Sequence, residues 1–194
     1  QPVELAGLDN RWSLASWLTI TPSQQTVQPG ESAAVAVLID VPDDALPGGH
    51  YAMVTHQPIF NSDGEDSFNQ SSTGVNQRVG TLLYFLVDGP INEAAFIRNL
   101  TVPGFQEFGP VEFSFELENQ SDVHIRPQIG VTITNLFGKR VGEFQPDTRN
   151  IFPFTSRAFE SEWDRIWGLG RYKLEVVASY GTAGQVVMDD AFFW

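Results

Sequence analysis

The chain has 194 residues, 42% of them hydrophobic, enough to bury a real core in one large domain or in two of about 100 residues each. Lys and Arg number 11 against 24 Asp and Glu, so the net charge is -13. A balance this acidic excludes nucleic acid as a natural partner, because the chain repels a polyanion. With no cysteine there are no disulfides and no thiolate metal sites, and the compartment stays open on that ground.

The first strand pattern covers residues 13–21. Between Pro29-Gly30 and the run 42–49 lies a ten-residue alternation, with Val35, Val37, Ile39 and Val41 on one face and Ala34, Ala36, Leu38 and Asp40 on the other. This predicts a strand over 32–41 with one strongly buried face. Pro and Gly at its ends cannot continue a ladder, so they mark its boundaries. Further strands are expected at 50–57 and 75–87, where VGTLLYFLV is apolar enough to be buried on both faces. DGPINE, residues 88–93, reads as a linker.

The alternation restarts after the linker, at 94–102 and then at 111–118, where Val111, Phe113, Phe115 and Leu117 face one way and Glu112, Ser114, Glu116 and Glu118 the other. Strands follow at 124–134, 140–144, 150–159, 171–179 and 185–193. The expected fold is all-β: two tandem immunoglobulin-like sandwiches, 1–89 and 90–194, the second with about seven strands. Tyr172, just after Gly170, suits a tyrosine corner. ESEWDRIWGLG is long enough for one or two helical turns. Four strands before Asp88 make the first sandwich incomplete, and an exposed edge of that kind calls for a cover from outside the chain.

WLTITPSQQTVQPGESAAVAVLIDVPDDALPGGHYAMV and the later VGTLLYFLVDG resemble the N-terminal domain of bacterial WxL-interacting proteins. FELENQSDVHIRPQIGVTITNLFGK, NIFPFTSRAF and LGRYKLEVVASYG are similar to the immunoglobulin-like domain that follows in that family. The resemblance implies an extracellular protein of the bacterial cell surface. Its first domain would contact peptidoglycan or another wall glycan and its second a protein partner, with a membrane helix outside the present sequence.

Chemistry-bearing patterns are few. His50, His56 and His124 are dispersed and match no ligand spacing. Asp63, Glu65 and Asp66 gather beside Gly64 in NSDGEDSFNQSSTG, either a solvated hairpin loop or an oxygen-rich calcium site; calcium is the one cofactor the sequence raises. No nucleophile motif or phosphate loop occurs, and adjacent acids such as Asp189-Asp190 point to opposite faces of a strand, so no enzymatic constellation is expected. Trp163 and Trp167 either plug one end of the second sandwich or stack on a ligand. In the closing AFFW, alternation buries Phe192 or Phe193 but not both, which places Phe192, Phe193 and Trp194 at a face for a partner or for a second copy of the chain. Asn69, Asn99 and Asn119 head glycosylation triplets.

Overall fold

The computed structural model describes residues 10–58, 78–165 and 168–194. They form an all-β protein, with only two short 3-10 turns, Asn10–Trp12 and Ala15–Trp17, among them. The chain divides into two compact units, Gln1–Asp88 and Gly89–Trp194. The linker pattern at 88–93 spans that division.

In the first unit, β1 (Leu18–Thr21) pairs antiparallel with β2 (Ala36–Ile39), and β3 (Gly48–His56) pairs antiparallel with β4 (Val79–Val87). Among the described residues of this unit the buried apolar side chains are Leu14 and Val54, and the ring of His50 is buried as well. Trp17 lies 4.3 Å from that ring and meets Phe85 edge-on at 6.5 Å. Two expectations change here. The strand expected over 32–41 contracts to Ala36–Ile39, and Val37 and Val41 on its intended core face are exposed, because β1 is its ladder partner and only four residues long. On β4, Leu83, Phe85 and Val87 are half-buried while Val79, Leu82, Tyr84 and Leu86 are exposed, so the run is not covered on both faces. A strand presents its side chains with a period of two, and a ribbon of two strands has a single face to hide.

The second unit is a sandwich of seven strands. A three-stranded sheet holds β5 (Ala95–Thr101), β6 (Val111–Asn119) and β9 (Thr155–Trp163) in that order. A four-stranded sheet runs β11 (Gln185–Phe193), β10 (Tyr172–Tyr180), β7 (Gln128–Asn135), β8 (Arg140–Phe144). All pairs are antiparallel, and the strands cross between sheets in the manner of immunoglobulin-type sandwiches. Alternation puts Val111, Phe113, Phe115 and Leu117 of β6 inside, facing Ile129, Val131, Ile133, Leu174 and Val176 from the opposite sheet. The Phe115 and Phe159 rings stack at 5.2 Å in the middle of this core.

Where strands begin is decided by proline and by one strained residue. Pro127 has no backbone donor, so β7 starts after it and Ile125 is left in an isolated bridge to Ile151. Phe154, at φ 54°, follows Pro153 and breaks the strand expected at 150–159, which instead runs from Thr155 to Trp163. Glu160–Trp163 therefore belong to a strand, not to the helical turns the sequence allowed. Ahead of β10, the Leu169 amide donates to the Tyr172 hydroxyl at 3.2 Å, the local bond expected of a tyrosine corner.

One buried side chain ties the top of this sandwich together. Asn119 Nδ2 donates to the carbonyls of Val123 and Ile151, both at 2.9 Å, and its Oδ1 accepts from the Ser121 amide at 2.9 Å. Ser121 Oγ accepts from the Ala94 amide at 2.9 Å and donates to the Ala94 carbonyl at 3.1 Å. The Asp122 carboxylate accepts from the Asn92 amide. The end of the linker pattern is thus hydrogen-bonded into the second unit.

Candidate functional site

The C-terminal strand separates the aromatic candidates by parity. In the ladder Tyr172 opposes Phe193 and Lys173 opposes Phe192, so neighbouring residues of β11 take opposite faces. Phe193 turns inward, is 2% exposed, and stacks on Tyr172 at 5.4 Å. Trp163 is 8% exposed and meets Tyr172 at 5.2 Å and Phe193 at 6.1 Å, both edge-on. These three rings close one end of the core. Phe193 and Trp163 are therefore packing residues and not surface groups for a partner, because their apolar area is already spent within the fold. Trp167 and the calcium candidates Asp63, Glu65 and Asp66 lie outside the described residues.

Phe192 and Trp194 point the other way and remain 46% and 58% exposed. Val186 and Met188, also exposed, share their parity, with the exposed Asp190 between them and Phe192. Phe192 and Trp194 are held in place by their backbone. The Trp194 amide donates to the Gly104 carbonyl at 3.2 Å and the Trp194 carbonyl accepts from the Gln106 amide at 2.9 Å, which sets exposed Phe105 next to Trp194 in the chain pairing. Arg171, just before β10, lays its guanidinium 3.9 Å from the centre of the Phe192 ring and 5.9 Å from that of Trp194. Stacking of this kind is favourable by about 0.5–1 kcal/mol at an exposed site. The sequence pointed to Phe192 and Trp194 but not to Arg171, whose only signal was its place immediately ahead of Tyr172.

The next cation on this face is engaged. Lys173 Nζ reaches Glu175 at 2.8 Å and Asp190 at 3.7 Å. These carboxylates, Glu175 first, raise the Lys173 pKa above its ordinary value. On the other sheet the outer surface is acidic: Glu112 sits directly opposite Glu162, and with Thr101, Ser114 and Glu160 they line an open groove of about 680 Å³. Like charges paired across strands are unfavourable, so this face repels anions and stays hydrated. Farther along it, Arg98 Nε donates to Glu118 at 2.9 Å. Hydrogen bonds from Gln120 and then Arg98 hold the Glu118 carboxyl below the usual range.

The histidines do not converge. His50 is buried on β3 with Nε2 3.0 Å from the Leu46 carbonyl, His56 is exposed at the end of the same strand, and His124 is half-buried in the second unit. Among the described residues no group of three His, Asp or Glu side chains is placed to hold a metal. Of the glycosylation triplets, Asn119 has its side-chain amide fully committed in the core and Asn99 is exposed at φ 51°.

No protein-family pattern matches the chain, and no curated protein does. Among solved structures, the chain is similar to an alkylpurine DNA glycosylase of Pseudomonas fluorescens bound to DNA containing an abasic site analog, with 17% identity and a TM-score of 0.41. That match covers 51% of this chain and 29% of the glycosylase. It is also similar to a β-glucuronidase of Bacteroides uniformis, with 15% identity and a TM-score of 0.39 over 50% of this chain and 12% of that one. The likeness thus spans well under half of either enzyme.

Proposed function

We propose that this protein is a non-enzymatic adhesion or adaptor protein of the bacterial cell surface, binding the cell wall and a protein partner, with the outer face of β11 as the partner-binding surface. The observation that carries the reading is the exposure of Phe192 near the end of β11 and of Trp194 just after it, while the intervening Phe193 is in the core. Covering the exposed half of one such ring is worth about 1 kcal/mol, and the backbone pairing holds both residues in place before any partner arrives. The resemblance to WxL-interacting proteins supplies the location and the wall.

The test is retention of the purified chain on intact cells and on isolated walls, followed by cross-linking. F192S/W194S is expected to keep wall retention and to lose the cross-linked protein partner. Unchanged cross-linking in that double variant overturns the assignment of the face.

A second reading makes the chain a structural subunit of a surface assembly whose first sandwich is completed by a strand from a neighbour. Its support is the β3–β4 ribbon, where Met53, Val79 and Leu86 are exposed at 63%, 59% and 64%. Apolar ribbons of this length invite strand addition. Light scattering over a wide concentration range separates the two: a stable large species favours the subunit, and a monomer throughout rules it out.

A further inference from the structure

Arg171 differs from every other feature of the β11 face in being cationic and uncommitted to an anion. It makes no ion pair among the described residues, whereas Lys173 beside it is neutralised by Glu175 and Asp190. A guanidinium stacked on a ring keeps its in-plane N–H groups directed outward, and that fork matches the two oxygens of a carboxylate. The net charge of -13 belongs to the chain as a whole. Locally, Arg171 and Lys173 balance Glu175 and Asp190, and at physiological salt charges more than about 8 Å away are largely screened, so what singles out Arg171 is its unpaired donor fork and not a net positive charge.

The spacing of the rings narrows the partner further. Phe192 and Trp194 are alternate residues of one extended segment, about 6.8 Å apart along it. Alternate side chains of an extended partner segment share that repeat. A carboxylate can then meet Arg171, stacked on Phe192, while an apolar side chain two residues away covers Trp194. A flat sugar ring needs only a stacking platform and gains nothing from the repeat.

We infer that the Phe192, Arg171 and Trp194 ladder reads a Glu or Asp with an apolar side chain two residues away, on the same face of an extended segment of a partner protein. This rests on β11 being a protein-binding face, and it adds Arg171 as the residue that selects the partner. No bond is made or broken; recognition consists of ring coverage and a charge-assisted hydrogen-bonded pair.

The full chain, labelled with ¹⁵N, is titrated with an acetylated and amidated pentapeptide Leu-Ser-Glu-Ser-Leu and with its Gln and Lys counterparts, following the Trp194 indole and Arg171 Nε–H signals. The Glu peptide is expected to bind about tenfold more tightly than the Gln peptide, as a hydrogen-bonded charge pair implies. R171Q should erase that preference while lowering the thermal midpoint by no more than the few degrees the lost stacking accounts for, and R171K should restore only part of it, since an ammonium lacks the fork. Equal affinity for Glu and Gln peptides, no shift with either, or preference for the Lys peptide overturns the inference. So do the same shifts produced by raising the concentration of the chain alone, which would assign the face to a second copy. If F192S/W194S loses its cross-linked partner while the peptides bind alike, only the role of Arg171 fails. If the double variant loses nothing, the face itself was misassigned.

Discussion

Asn119 shows how much one polar side chain can hold. Its three hydrogen bonds lie in a fully buried position and join the end of β6 to the 123 and 151 segments. Asn119→Ala would leave the Val123 carbonyl and the Ser121 amide without this partner, while the Ile151 carbonyl keeps the Ile125 amide, and at about 1–3 kcal/mol for each orphaned group a loss of about 2 kcal/mol or more is expected in urea unfolding. The same reasoning makes glycosylation of Asn119 incompatible with the native state, although the triplet is present in the sequence. His124 gives the second unit a pH dependence. Burial pushes its pKa below the ordinary 6.5, so the unfolded chain takes up the proton first as the pH falls. The stability contributed by the neutral ring is complete above 6.5 and is lost as the pH drops through the folded value. Between pH 7.5 and 5.5, a window above that of Glu118, the midpoint of thermal unfolding should fall in the native protein and fall less in His124→Gln; equal slopes would show that another group titrates there.

At the scale of elements, β6 and β10 were the most legible, because strict alternation over nine residues leaves one choice of face. β2 was misleading for the opposite reason: its alternation is clean, but burial depends on what lies above it, and only two strands pair there. Starts were displaced wherever a proline or a left-handed residue intervened, as at Pro127 and Phe154. β8 illustrates a close approach that periodicity does not announce. A Cβ on Gly142 would come within 3.2 Å of Trp163 Nε1 and 3.3 Å of the Phe144 ring. Gly142→Val is therefore expected to overpack the Trp163 end of the core and cost about 1–3 kcal/mol, with the Trp163 near-ultraviolet signal weakened. Retention of both stability and signal would mean that the indole has room to move.

For the molecule as a whole, the two units differ in how well they are filled. The second has a continuous core from both of its sheets, whereas the first buries few apolar side chains among its described residues. Residues 89–194 expressed alone should fold, with a sharp thermal transition matching the main transition of the full chain, provided that Asn92 and Ala94 are kept for their bonds to Asp122 and Ser121. A fragment without a cooperative transition would show that the second unit depends on the first.

The all-β class, the change at 88–93 and the one-residue parity of the closing aromatics were determined by sequence alone, since they follow from turn chemistry and a period of two. Which parity faces the core was decided only in three dimensions. Phe193 is inside because Tyr172 and Trp163, 21 and 30 positions earlier in the chain, meet it there. Arg171 joined the exposed rings for the same reason: the β10–β11 pairing carries it to Phe192, and contact across strands is a property of register that no local pattern encodes.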